Sequence, residues 1–197
     1  YRGTLESVFR LYDVPLFTAG RSDMLSKPLP ALISYAYAVI QGGWAVDDVI
    51  SYMRSGLSGL SETDCDELEN YIFKWQIRGS AWQRIKDWRQ HPGGYGRDYD
   101  EKSEQQLKTI NELRRKLARP LNKFQKDSEA AETALQHCMA LSGLFQNLRL
   151  PELLKERAEK LVALGREKQA AEYRQLWDIV VSSLEQCAAI LSDSAMD

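Results

Sequence analysis

The sequence predicts an all-α fold, a multi-helix domain of about eight helices with an antiparallel bundle in its C-terminal half. Three observations carry this expectation. Apolar residues recur at intervals of three and four along nearly every segment of the 197-residue chain. Breakers gather between these runs, at Gly42-Gly43, at Gly79 and in HPGGYGRDYD. From about Ser103 onward there are few breakers at all, as expected of long helices packed side by side.

The elements follow in order. TLESVFRLY reads as a helix at the very start. DVPLFTAG is the one candidate for extended chain, because Val14 precedes a proline and is biased away from helix; at most one short strand fits, near residues 14–17. Leu29, Leu32, Ile33, Ala36 and Ile40 form one helical stripe, and Val46, Val49, Ile50, Met53 and Leu57 form a second after Gly42-Gly43, the two entered at Pro28 and Trp44. Ser61 in SETD is a candidate N-cap, followed by the stripe Leu68, Ile72 and Trp75 and a stop at Gly79. SAWQRIKDW reads as one more short helix, and HPGGYGRDYD, His91 to Asp100, as a long loop. Leu107, Ile110, Leu113, Leu117, Leu121 and Phe124 keep one stripe through Pro120, which predicts a kink or short break with both halves on the same core. A helix capped at Ser128 then carries Leu135, Cys138, Leu141, Phe145 and Leu148. Another begins near Pro151, and a last one carries Tyr173, Trp177, Val180, Leu184, Cys187 and Leu191. The chain thus divides into a helical block over residues 1–90, a loop over 91–102 and a helical bundle over 103–197. No internal repeat is visible.

Composition bounds the function. With 44% hydrophobic and 27% charged residues the chain is globular and long enough for one good-sized core. No apolar run is long enough to span a bilayer and no signal segment opens the chain, so no membrane role is expected, and a soluble, intracellular protein is. It begins at Tyr1 without a methionine, as a piece of a longer protein would. Cys65, Cys138 and Cys187 are odd in number and far apart, which fits buried thiols and neither a disulfide framework nor a zinc site. The two histidines, His91 and His137, leave little for metal chemistry, and no metal ligands are assigned.

Charge is unevenly placed. Lys108, Arg114, Arg115, Lys116, Arg119, Lys123 and Lys126 stand against the single acid Glu112 within residues 107–126, so that this segment carries +6 and the remainder −8 of the net −2. At the helical period Lys108, Arg115, Arg119 and Lys126 fall within about 20° of a common direction, opposite the apolar stripe. Such a face fits phosphate contact, with affinity that falls steeply with salt. It fits equally a solvated surface paired with the acidic remainder. RGSAWQRIKDWRQH interleaves Arg78, Arg84, Lys86 and Arg89 with Trp82 and Trp88, a pairing used for phosphate contact and base stacking on single strands. The spacing of Trp82, Ile85 and Trp88 is also that of a buried stripe. The candidate nucleic-acid-binding residues are therefore Arg78, Trp82, Arg84, Lys108, Arg115, Arg119 and Lys126. No phosphate loop, nucleophile elbow, zinc-protease motif or acidic nuclease cluster is present in the sequence, so no catalytic residue is assigned.

Three ordered blocks bring a family into view: DVPLF (Asp13 to Phe17), KPLPALISYAYAVIQGGWAVDDVISYMRSGL (Lys27 to Leu57) and LENYIFKWQIRGSAW (Leu68 to Trp82). In this order and spacing they resemble the helicase-like part of the B subunit of bacterial ATP-dependent helicase/nucleases, the AddB-type relatives of the RecBCD exonuclease. Val14-Pro15-Leu16-Phe17, Lys27-Pro28-Leu29, Trp44 with Asp47-Asp48-Val49 and Arg54-Ser55-Gly56-Leu57, and Leu68-Glu69-Asn70-Tyr71 with Ile77-Arg78-Gly79 and Trp82 stand at that family's motif positions. The chain departs from the pattern at Lys27, at Arg54 and at Trp75-Gln76, where the family often has His, Lys and Tyr-Gly. The motifs cover roughly residues 5–82; the later helices match only in style, as the helical part of a domain inserted into the second motor domain.

The resemblance implies a bacterial, cytoplasmic parent protein that processes DNA double-strand ends in recombinational repair together with a partner helicase/nuclease subunit. ATP and magnesium would act in the partner's motor, and an iron-sulfur cluster in a nuclease domain further along the parent chain. No cofactor is expected here. The fragment itself is expected to be non-catalytic, with an architectural role beside the DNA path. The alternative is a helical protein-protein interaction module without DNA binding.

Overall fold

The computed structural model describes residues 8, 9, 11, 12 and 27–190, and among residues 27–190 seven α-helices form. They are α1 (Pro28–Gln41), α2 (Val46–Met53), α3 (Glu62–Trp75), α4 (Glu101–Glu129), α5 (Ala134–Leu148), α6 (Leu150–Ala163) and α7 (Glu167–Ile190). Among the described residues there is no β-strand, and the fold is all-α. The extended segment expected near 14–17, most of the N-terminal helix and Leu191 lie outside the described residues.

The starts of these helices follow local chemistry. Pro28 occupies the first turn of α1, where its missing N–H costs nothing. Ser61 caps α3 through a reciprocal box, its hydroxyl accepting from the Asp64 amide at 3.2 Å while the Asp64 carboxylate accepts from the Ser61 amide at 3.1 Å. Asp100 and Ser103 build the same box at the start of α4, and the bonds to Ser103 pull the Asp100 carboxyl below the usual range.

Three sequence expectations are corrected. SAWQRIKDW is not a helix: a 3-10 turn over Gly79–Ala81 gives way to irregular chain up to Asp100. Its period of three put Trp82, Ile85 and Trp88 on one face, yet both tryptophans are buried and Ile85 is 99% exposed. Gly79 does not end α3. Gln76 takes the left-handed cap at φ 48°, and Gly79, at φ 58°, instead gives its N–H to the Trp44 carbonyl at 3.1 Å. Ser128 caps nothing, being inside α4; the next cap is Thr133, in a box with Gln136.

α4 is assigned helical straight through Pro120. Leu117 before the proline and Leu121 and Phe124 after it are all buried in the same core, which holds both halves in place despite the missing hydrogen bond. That core is continuous from α1 to α6. Each fully buried Leu or Ile in it, such as Leu29, Leu32, Leu68 and Ile72, contributes about 1.5–3 kcal/mol. α4 packs on α5 and on α3, α6 packs on α7, and α7 returns against α5 and α1. Tyr37 of α1 meets Phe124 of α4 edge-on at 5.0 Å, and Lys27 pairs with Glu172 of α7 at 2.5 Å.

Candidate nucleic-acid interface

The irregular segment after Trp82 is held by side chains reaching in from α3 and α4 and, at one point, from the loop before α4. Each carbonyl from Trp88 to Pro92 accepts from one: Asn111 Nδ2 to Trp88 at 3.0 Å, the Tyr99 hydroxyl to Arg89, the Tyr71 hydroxyl to Gln90 at 3.0 Å, Trp75 Nε1 to His91 at 3.1 Å and Lys74 Nζ to Pro92 at 2.5 Å. Asn111 also accepts from the Trp88 amide at 2.8 Å, so its side-chain amide pairs with one residue's backbone from both sides. Buried backbone polar groups need partners, and here α3, α4 and Tyr99 of the loop supply them where no secondary-structure ladder does.

Beneath this segment lies an aromatic cluster. Trp44 stacks on Trp82 with ring centroids 6.3 Å apart, Trp82 meets Trp88 edge-on at 5.2 Å, and Trp88 stacks on Tyr71 at 5.4 Å. The Arg114 guanidinium lies 5.1 Å from the Trp88 ring. Trp44 Nε1 and Gln83 Nε2 both donate to Gln125 Oε1, at 2.9 and 2.8 Å, and tie the turn to α4.

Above the cluster, the turn and α4 enclose a groove of about 250 Å³. Trp82, Arg84 and Ile85 line it from the turn, and Arg114, Arg115, Arg119 and Asn122 from the helix. Two groups of candidates that are separate in sequence thus meet: Trp82 and Arg84 face Arg115 and Arg119. Asp87 is the counter-charge nearby, 2.5 Å from Arg115 Nη1 and 3.4 Å from Arg114 Nη2. Arg114 is 2% exposed, donates to the Lys86 carbonyl at 3.2 Å, and was not among the sequence candidates. Burial pushes its pKa down while Asp87 opposes the shift; an arginine keeps its charge at neutral pH regardless.

The other candidates lie elsewhere. Lys108 and Lys126 are exposed on the same helix, each seven residues and so about 10 Å along the axis from Arg115 and Arg119 respectively. Arg78 is exposed just before the 3-10 turn and does not line the groove. Trp82 is 1% exposed between Trp44 and Trp88, so in this arrangement it offers no open ring face to a base. Its role in the groove is as floor.

Other residues of the motif blocks prove to be braces. Arg54 reaches from the end of α2 to Asp66 at 2.7 Å and to Glu69 on α3, and the Cys65 thiol, buried beside it, is pushed up by desolvation. Among the described residues no group of three or more His, Cys, Asp or Glu is placed to hold a metal ion, and no helix is long and apolar enough to cross a membrane.

No protein-family model matches the chain. Curated relatives do, over almost all of it. A protein of Desulforudis audaxviator is 32% identical over 206 residues, covering 100% of this chain and 18% of the relative. One of Clostridium kluyveri is 29% identical, covering 99% and 17%, and one of Acetivibrio thermocellus 28% identical, covering 98% and 17%. All three bear the name of the B subunit of an ATP-dependent helicase/deoxyribonuclease. The chain thus spans less than a fifth of the length of these relatives.

Proposed function

From the relation to AddB-type proteins, which runs over nearly the whole chain, we propose that this is a non-catalytic part of a helicase/deoxyribonuclease subunit that acts on DNA ends in recombinational repair. Its role is architectural: it flanks the path of DNA with the basic face of α4 and the turn before it. The observation that carries the DNA contact is the convergence of Arg84 with Arg115 and Arg119 on one groove, with Lys108 and Lys126 extending the face along α4. Lys108 to Lys126 spans eighteen residues, about 27 Å of helix, enough for several phosphates in succession. Arg78, exposed at the neighbouring turn, is the further candidate for backbone contact. The parent assembly, in the bacterial cytoplasm, supplies the partner helicase/nuclease subunit, ATP, magnesium and an iron-sulfur cluster in this reading.

Exposed apolar side chains at separate points favour protein contact alongside it. Ile179 and Ile190 on α7 and Leu164 after α6 are 46%, 79% and 69% exposed, apolar positions that the rest of a larger protein would cover. The experiment is binding of the chain to single-stranded and duplex DNA across a salt series, with the Arg115→Glu/Arg119→Glu double variant beside it. A steep fall of affinity with salt, and its loss in the variant, is expected. Binding that is absent, or that salt and the double variant leave unchanged, favours the protein-interaction reading.

A further inference from the structure

We infer that the groove between the 82–85 turn and α4 is a one-nucleotide subsite for single-stranded DNA, with a backbone phosphate among Arg84, Arg114, Arg115 and Arg119 and the adjoining sugar or base against Ile85. This rests on the DNA-flanking reading and narrows it from a charged face to a defined notch.

Four arginines line one space of about 250 Å³, Arg114 from its buried edge. Arginine forks match phosphate oxygens in pairs, whereas a solvated face has no reason to converge. Arg114 and Arg115 are already oriented, held by the Lys86 carbonyl and by Asp87. The buried Trp82 indole N–H, in the residue that floors the notch, has no acceptor among the described residues. Asp87 is thus a resident carboxylate on two of the four arginines, in the position of a competitor for an incoming phosphate.

Ile85 selects the single strand. It is 99% exposed at the groove wall, an apolar side chain beside arginines with nothing among the described residues packed on it. A duplex approaching this notch presents phosphates and keeps its bases stacked inside. In a single strand the base next to a bound phosphate is free to lie against apolar surface.

The test is fluorescence anisotropy of the 197-residue chain with labelled oligothymidylate and an abasic oligomer of equal length, across a salt series, each variant first checked for native circular dichroism. Arg84→Gln with Arg119→Gln is expected to weaken both oligomers and to lower the salt slope by roughly 0.7 for the phosphate lost. Ile85→Ser is expected to weaken oligothymidylate about three- to tenfold, with the salt slope and abasic binding unchanged. Asp87→Asn keeps an acceptor for Arg115, removes the competing charge, and is expected to tighten both. Inorganic phosphate is expected to displace no more oligothymidylate than chloride at equal ionic strength; stronger displacement reassigns the notch to a free anion and overturns the proposal. If oligothymidylate binding survives the Ile85 and Arg84/Arg119 variants unchanged but falls in Lys108→Gln with Lys126→Gln, the subsite is wrong and the flanking face stands. If the unsubstituted chain binds no DNA at low salt, both fail.

Discussion

Replacing Asn111 by Ala tests how the irregular segment is held. Asn111 is 3% exposed, accepts from the Trp88 amide at 2.8 Å, and donates to the carbonyls of Trp88 at 3.0 Å and Leu107 at 3.0 Å. The Leu107 carbonyl is inside α4 and keeps its helical partner, so that loss is small. The Trp88 amide and carbonyl lie in irregular chain against the aromatic cluster, and both bonds to Asn111 are buried, where water does not readily replace the lost partner. Each buried group left unpaired costs about 1–3 kcal/mol, which puts Asn111→Ala, with two such groups, at about 2–6 kcal/mol. For a chain of this size that is on the order of 10 °C in melting temperature. Urea unfolding followed by tryptophan fluorescence measures it directly. Asn111→Asp keeps the acceptor for the Trp88 amide and lacks only the donor, so it is expected to retain part of the stability. A loss for Asn111→Ala below about 0.5 kcal/mol would refute the reasoning, since it would mean that the Trp88 backbone finds other partners.

Tyr52 is fully buried, and its hydroxyl has no partner among the described residues, so Tyr52→Phe is expected to leave stability unchanged or raise it by up to about 1 kcal/mol in urea unfolding. Burial also pushes the Tyr52 and Tyr71 phenols up from their ordinary value. A folded pKa raised above the unfolded one leaves stability complete below the unfolded value and erodes it above, so unfolding should ease from about pH 10 upward, less steeply in Tyr52→Phe. Arg54→Ala removes the link from α2 to Asp66 and Glu69; its melting temperature should fall, with a deficit that shrinks in high salt, and a salt-independent deficit would point to lost packing instead.

What the sequence could reveal depended on how local the cause was. Ser61 and Asp64 are three residues apart and announce their box in the sequence. Thr133 and Gln136 have the same spacing, but the serine at 128 lies closer to the charged run and drew the boundary five residues too early. Gly79 looked like a helix stop because glycine commonly is one, whereas Gln76 adopts the left-handed cap and the glycine serves the contact with Trp44. The period of three in SAWQRIKDW was real in its apolar content and wrong in its geometry. Trp82 and Trp88 are buried by partners from α3, α4 and the turn at Trp44, none of which a local period can register. Arg114, counted in the basic run, stayed outside the candidate set for the same reason: its neighbour Arg115 lies on the basic face, and it is the Lys86 carbonyl, twenty-eight positions away, that makes a buried place for Arg114.

The block LENYIFKWQIRGSAW thereby acquires a physical meaning distinct from ligand contact. Tyr71, Lys74 and Trp75 donate to the carbonyls of Gln90, Pro92 and His91, and Trp82 joins the stack that carries Trp88. The side chains that line the groove, Arg84, Ile85, Arg114, Arg115 and Arg119, all lie outside it, with Trp82 the single exception. The block therefore fixes where the 82–92 segment runs, and the segment presents Arg84 and Ile85 to α4. A loop tied down at five successive carbonyls has little conformational freedom left to lose when a ligand arrives. Arginines held in advance by Asp87 and the Lys86 carbonyl reduce the ordering cost further. Mutations in the block other than at Arg78 should consequently weaken binding only as far as they unfold the loop, while those at Arg84 or Arg119 should weaken it with the fold intact.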